Sequence, residues 1–191
     1  VKVVVTTVVL LAMAVGFVSS TWLFFSQEAT RRAAARMTFN LAADFSPTQN
    51  PNRAWSYGWI TATNVFRLYD NSVAVLGGKL SEWRGPFRDD NGLAPPNVAC
   101  NLSEERVSVS DTTWLPHSVT IHPGENSVRS VVRWTSPITG AAALETSFEG
   151  RSGFTTSGVE IFKNDSMIFS RKIIGQGSDS RVSLSTNLTV R

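Results

Sequence analysis

The feature that most constrains this chain is a regular alternation of residue character between 128 and 148. A period of two places successive side chains on opposite faces of a β-strand. The first alternating run places on one face Val128, Ser130, Val132 and Trp134. After Ser136-Pro137 and a turn at Thr139-Gly140, the second run places on one face Ala142, Leu144, Thr146 and Phe148. The stretch 122–150 therefore predicts an antiparallel β unit with one solvated face, and it indicates an all-β fold.

Short runs of β-branched and aromatic residues separated by turn residues continue along the chain. They predict a strand beginning at Phe39 and further strands at 55–59, 65–69, 73–76, 80–83, 98–102, 106–109, 114–121 and 182–190. Residues 159–162 and 167–169 predict a hairpin with an Asn164-Asp165 tip able to adopt positive φ. With no helical pattern after Met37, we expect an antiparallel β-sandwich of the jelly-roll kind over 39–191. Its expected interior includes Val132, Trp134, Leu144, Phe148, Val159 and Ile161.

The N-terminal region differs in character, because no residue from Val3 to Gln27 is charged. A run of that length predicts a hydrophobic helix over residues 1–27, acting as a signal peptide or as a membrane anchor. Its continuation through Trp22 and Phe25 favours the anchor, whereas a small-residue cleavage site at 33–35 would suit the signal peptide. Residues 28–38 read as a linker. The chain is thus expected outside the cytoplasm, either secreted or membrane-anchored.

Charge argues against a nucleic-acid partner, although the net charge is +3. Residues 1–38 hold four basic side chains and one acidic one, so the remaining residues hold fourteen of each. A neutral globular part lacks the basic face that tracks phosphates. The single cysteine, Cys100, excludes an intrachain disulfide and is expected to be buried between apolar neighbours.

Several motifs, in order, carry a family resemblance that spans roughly 39–190. They are NPNRAWSYG at 50–58, HPG at 122–124, VVRWTSP at 131–137 and VEIFKND at 159–165. This pattern resembles a family of bacterial exported jelly-roll domains, often found in PEP-CTERM-type proteins and in planctomycete surface proteins. Arg53 and Asp165 stand where that family has glycine. The family continues with a further strand, so the resemblance implies a sandwich truncated at its C-terminal end and of carbohydrate-binding-like architecture.

Aromatic and polar side chains near loops are the candidate ligand-binding residues. Trp and Tyr rings can stack on sugars, and neighbouring polar groups can supply hydrogen bonds. Trp83 and Trp114 are the candidates for exposed rings, with Trp55, Tyr57 and Trp59 as a second set whose favoured interpretation is the core. The polar candidates beside Trp83 are Arg84, Arg88, Asp89 and Asp90.

Catalytic and metal-binding patterns are weak. His117 and His122 are five residues apart and would face opposite sides of one strand, so His122 is expected to hydrogen-bond its turn instead. The pairs Asp89-Asp90 and Glu104-Glu105 are candidate Ca²⁺ ligands, but solvated loop charge is the favoured interpretation. No cofactor is expected, and no nucleophile motif is present.

These observations predict a non-catalytic exported module that binds a neutral glycan or envelope polymer, or serves as a structural part of the cell envelope. The alternatives are a membrane-anchored protein-interaction domain and, less favoured, a jelly-roll hydrolase. The fold alone does not decide between them.

Overall fold

The computed structural model describes residues 37–61, 63, 65–86 and 96–191. By contacts the chain divides into two units, 1–38 and 39–191. The predicted helix at 1–27 and most of the linker at 28–38 lie outside the described residues. In the described part, no helix has both the length and the apolar character needed to cross a membrane.

Thirteen strands and one short 3₁₀ helix, Gly177–Ser180, make up the regular structure of the described residues, which contain no α-helix. In chain order the strands are β1 (Trp55–Ile60), β2 (Arg67–Leu68), β3 (Asn71–Val75), β4 (Leu80–Arg84), β5 (Asn97–Asn101), β6 (Val107–Val109), β7 (Thr112–Trp114), β8 (Val119–His122), β9 (Arg129–Trp134), β10 (Gly140–Phe148), β11 (Thr156–Lys163), β12 (Ser166–Ile174) and β13 (Val182–Val190). The predicted all-β class is confirmed.

The strands form five antiparallel sheets. Three strands pair in the order β2–β1–β9, and four pair in the order β3–β4–β5–β8. The remaining six strands form the two-stranded sheets β6–β7, β10–β13 and β11–β12. β1 and β9 pair although about seventy residues of sequence lie between them. We call β10–β13 and β11–β12 the two ribbons.

The prediction that the two strands within 122–150 form one antiparallel unit is wrong. Both strands exist, but they do not pair with each other. β9 pairs with β1, where Tyr57 lies opposite Val132 and Trp55 opposite Trp134. β10 pairs instead with β13 over nine residues, from Gly140 opposite Val190 to Phe148 opposite Val182. Alternation identifies a strand and its faces, but it does not identify the neighbouring strand.

One hydrophobic core joins the three-stranded and four-stranded sheets, which together make a β-sandwich-like body. Its buried members are Phe45, Tyr57, Trp59, Tyr69, Trp83, Val98, Cys100 and Val128. The residues predicted to lie inside (Val132, Trp134, Leu144, Phe148, Val159 and Ile161) are all half-buried, and Val132 packs against this core. The expected burial of Cys100 is confirmed, since its exposed fraction is 1%.

Local side-chain bonds explain the segment that precedes β1. The Asn50 amide donates to the carbonyls of Tyr57 (2.7 Å) and Tyr69 (2.8 Å), and its oxygen accepts from the Tyr57 backbone N–H (2.9 Å). At Gly58, a Cβ would lie 2.2 Å from the Arg67 carbonyl oxygen. The motif at 50–58 therefore holds β1 against its neighbours, and glycine is required where β2 approaches.

Two predicted strands are absent or interrupted for identifiable reasons. The expected strand at Phe39 is a turn, because the Asn40 side-chain oxygen accepts from the backbone N–H groups of Ala42 and Ala43. The expected strand at 114–121 is broken between β7 and β8 by a turn, in which Ser118 N–H donates to the Leu115 carbonyl. His117 has a φ of 49° within that turn.

The ribbons meet at a junction formed by residues 149–151 and 175–181, which we call the clasp. The Gly150 N–H donates to Ser180 Oγ (2.9 Å), and its carbonyl accepts from the Gly177 N–H (3.0 Å). The Glu149 carboxylate is bound by Arg151 and Arg181, each at 2.8 Å. The clasp thus ties the start of β11 and the end of β12 to the end of β10 and the start of β13.

Candidate functional site

Four of the five candidate aromatic rings come together, but inside the protein. Tyr57 and Trp83 have exposed fractions of 0% and 5%, and Trp59 belongs to the same core cluster. Trp55 packs against that cluster and donates from Nε1 to Asp44 Oδ2 at 3.2 Å. The core interpretation of Trp55, Tyr57 and Trp59 is confirmed.

The expectation of an exposed ring at Trp83 is wrong. Trp83 lies in β4, an inner strand with β3 on one side and β5 on the other. Its Nε1 donates to the Ser46 carbonyl at 2.8 Å, so the polar edge of the ring is already used. Proximity to a loop in sequence indicated exposure, whereas the position of the strand within its sheet determines burial.

Trp114 lies outside the core cluster, on the short strand β7, and is half-buried. Its Nε1 is buried and has no hydrogen-bond partner in the described part of the chain. Because the ring of Trp114 is half-buried, only part of it could stack on a ligand. Its N–H is buried and does not face solvent.

The polar candidates divide between those with partners and those outside the described residues. Arg84 binds Glu82 at 2.6 Å, with both side chains at most 20% exposed. Arg88, Asp89 and Asp90 lie outside the described residues. The cluster expected around Trp83 is therefore not assembled by the residues that the structure describes.

The histidines and glutamates form separate, local pairs. His117 Nε2 lies 2.9 Å from Glu104 Oε2, and Glu105 binds Lys79. His122 Nδ1 lies 2.6 Å from the Pro123 carbonyl, which confirms the expected bond to its turn. Within the described ranges, no three His, Cys, Asp or Glu side chains converge as a metal site. Glu104 and Glu105 thus have separate partners, the imidazole of His117 and the ammonium of Lys79.

Burial shifts the ionisation of three core groups away from neutral pH. It raises the pKa values of the Tyr57 and Tyr69 hydroxyls, and it raises the pKa of the Cys100 thiol to about 11. A thiol with a raised pKa is a poor nucleophile. Conversely, the hydrogen bond and charge of Lys79 lower the pKa of Glu105.

The most exposed large apolar side chain in the described part is one that the sequence analysis did not single out. It belongs to the connection into β11, and three more follow on the same ribbon: Phe154 (90% exposed), Ile174 (63%), Met167 (57%) and Phe162 (49%). We call these four residues the ribbon face. Phe162 lies opposite Met167 at one end of the ribbon, and Thr156 lies opposite Ile174 at the other.

Part of this signal was available in the sequence. Phe162 is out of phase with Val159 and Ile161, so alternation predicts that it points outward. Met167 could not be assigned, because a bulge between Ile161 and Phe162 shifts the register of the hairpin. Phe154 lies in a connection, where periodicity carries no information.

A shallow, open depression lies on the other ribbon, between β10 and β13. Its lining residues are Glu145, Thr146, Ser147, Ser183, Leu184 and Ser185. Such an open surface does not enclose a small molecule.

The comparisons with known proteins add no relative. No family model, no curated protein and no solved structure matches the chain.

Proposed function

We propose that this chain is a non-catalytic, exported module of the cell envelope, a jelly-roll sandwich that binds another envelope protein through the ribbon face. The observation that carries the proposal is the exposure of large apolar side chains at both ends of the β11–β12 ribbon: Phe162 opposite Met167 at one end, and Ile174 (63%) with Phe154 (90%) of the connection into β11 at the other. Large exposed apolar residues that cluster on one element are typical of protein-binding surfaces.

Glycine placement on the same ribbon supports a close-fitting partner. Gly158 lies in the middle of β11, opposite Lys172, and a Cβ built there would meet no atom within 4 Å. The fold therefore does not require glycine at this position, unlike at Gly58. A glycine inside a strand often marks a place where a ligand or another backbone approaches.

The chemistry of the ribbon face favours a protein partner over a neutral glycan. Sugar platforms use Trp and Tyr, and the candidates Tyr57, Trp59 and Trp83 are in the core. Phe, Met and Ile side chains instead suit an apolar protein surface, and Met adapts readily to irregular partners. Export rests on the uncharged run 3–27 and on the resemblance to exported surface domains.

The test is retention of the full chain on an insoluble envelope fraction, before and after that fraction is digested with protease. We expect retention on the undigested fraction only, and at least about a tenfold loss for the double variant Phe162→Ser/Met167→Ser. The matched control is Leu68→Ser on β2, where Leu68 is 41% exposed and outside the ribbons.

Three outcomes overturn the proposal. Retention that survives protease digestion indicates a glycan or another polymer as the partner. An equal loss for Leu68→Ser indicates non-specific adhesion. Release of soluble sugar or peptide fragments from the envelope fraction indicates an enzyme.

A further inference from the structure

The outer edge of β13 belongs to the β10–β13 ribbon, which does not carry the ribbon face. β13 pairs with β10 along one edge over its whole length. No described strand pairs with its other edge. In an antiparallel ladder, about half of the backbone N–H and C=O groups of a strand point to each side. The free edge therefore presents a nine-residue row of backbone donors and acceptors.

This edge lacks the features that usually protect a free strand. Natural sheets block such edges with charged residues, proline, bulges or short length. β13 contains no charged residue, no proline and no glycine, and it is the longest uncharged strand in the described part of the chain. By contrast, β12 carries Arg171 and Lys172, and β11 carries Glu160 and Lys163.

The sequence of β13, VSLSTNLTV, is close to a palindrome about Thr186. Val182 corresponds to Val190, Leu184 to Leu188, and the hydroxyl residue Ser183 to Thr189. If two such strands run antiparallel, each residue meets an identical or similar one, and the two faces stay matched. Leucines meet leucines on the half-buried face, and hydroxyl residues meet on the exposed face, without like charges opposed.

We propose that the free edge of β13 pairs with β13 of a second copy of this chain, antiparallel and about a two-fold axis at Thr186. The two ribbons then form one four-stranded sheet in the order β10–β13–β13–β10. Such an isologous interface is the commonest kind in homodimers.

The half-exposed inner face of the ribbon gives a physical reason for this pairing. A two-stranded sheet is marginally stable in water, and three or more strands with an apolar face are needed for independent stability. On β10 and β13 the inner residues Leu144, Phe148, Leu184 and Leu188 are only half-buried. Pairing doubles the width of this apolar face and satisfies the backbone groups of the free edge. The inference is independent of the proposed function, because the ribbon face lies on β11, β12 and the connection into β11.

Cysteine cross-linking of the full chain in mild detergent tests the register. Full overlap places Ser185 opposite Asn187, so a mixture of the Ser185→Cys and Asn187→Cys proteins should form a disulfide dimer on mild oxidation. Each variant alone should cross-link at least about tenfold less, since its thiol then faces the wild-type residue. Cys100 stays silent because it is buried, and Ser170→Cys on β12 is the control.

Mass measurement by light scattering provides the second readout. We expect a dimer of the parent chain and a monomer of the double variant Ser185→Lys/Asn187→Lys, because like charges then meet across the pair. The control Ser166→Lys/Ser170→Lys adds the same charge to β12 and should stay dimeric. A monomeric parent overturns the proposal. So does a dimer that survives the β13 lysines, or cross-linking that is equal for the mixture and for Ser170→Cys.

Discussion

The sandwich and the ribbons are both built from antiparallel strands, yet they differ greatly in the fraction of their residues that is buried. In the seven strands of the three-stranded and four-stranded sheets, eleven of thirty-three residues are buried, all of them in β1, β4 and β5. In the four ribbon strands, two of thirty-five are buried, Ile173 and Val190. Hydrophobic stabilisation scales with the apolar area removed from water. The sandwich therefore contributes more of the hydrophobic stability of the unit 39–191 than the ribbons do.

Core truncation should show the largest contrast between the two regions. Trp83→Ala removes a ring that is 5% exposed and hydrogen-bonded to Ser46, so we expect the free energy of unfolding to fall by about 3–5 kcal/mol. Phe162→Ala on the ribbon, where the ring is 49% exposed, should cost less than about 1 kcal/mol. Denaturant unfolding of both variants checks this. Equal costs would mean that the ribbon is as well packed as the sandwich.

Thiol reactivity compares the regions without disturbing the fold. Burial raises the pKa of Cys100 to about 11, so at pH 8 its thiolate fraction should be about a hundredfold below that of an exposed thiol, with steric protection in addition. An Asn187→Cys thiol on β13 should react with a disulfide reagent at the ordinary rate. We expect Cys100 to react only on unfolding. Comparable rates for the two thiols would contradict a closed core.

The raised pKa of Cys100 also makes the stability of the fold depend on pH. Because the folded pKa is raised, the neutral thiol stabilises the fold fully below the unfolded pKa of about 8.5. That stability is lost as the pH rises towards about 11. Tyr57 and Tyr69 lose theirs in the same direction at still higher pH.

Amide truncation should give an intermediate contrast. Asn50→Ala removes two donated bonds and one accepted bond that tie the approach to β1, so we expect a loss of about 2–3 kcal/mol. Asn187→Ala on the exposed face of β13 should change stability by less than about 0.5 kcal/mol. Thermal unfolding of the pair measures the difference. If Asn50→Ala leaves stability unchanged, water replaces these hydrogen bonds without loss of free energy.

The smallest effect is expected at the Lys79–Glu105 pair on the surface of the sandwich. Lys79 lowers the pKa of Glu105, so its stabilisation is present above the ordinary glutamate pKa of about 4.3 and is lost as the pH falls through the lowered value. Lys79→Met should make the loss of stability at acid pH slightly less steep. Lys163→Met on the ribbon is the control and should leave it unchanged. The same loss of stability at acid pH in the parent and in Lys79→Met would show that the pair contributes nothing to stability.

Local patterns made the ribbons the easier region to predict. Alternation identified β10 and β13, and the 159–169 pattern identified the hairpin, with Asn164 at a φ of 53° as expected for its tip. These elements depend on neighbouring residues in sequence or on one exposed face.

The sandwich core was harder to predict because it depends on pairings between distant strands. The burial of Trp83 follows from β3 and β5 on its two sides, and Tyr57 is buried by a sheet that includes β9, far along the chain. Half-burial of Leu144 and Phe148, predicted as core, reflects the narrow two-stranded ribbon rather than a wrong face. The expected exposure of Trp83 was wrong for the same reason, since exposure depends on the sheet order, which alternation does not specify.

The clasp has a practical consequence for this chain as a scaffold. It closes both ribbons at one end through Gly150, Ser180 and Glu149, whereas the Asn164-Asp165 tip lies at the opposite end of its hairpin, exposed. Exposed loop tips accept insertions when the affected backbone makes few bonds. A foreign peptide grafted between Asn164 and Asp165 would therefore be displayed on a stalk of eight cross-strand pairs, with its base fastened independently of the grafted sequence.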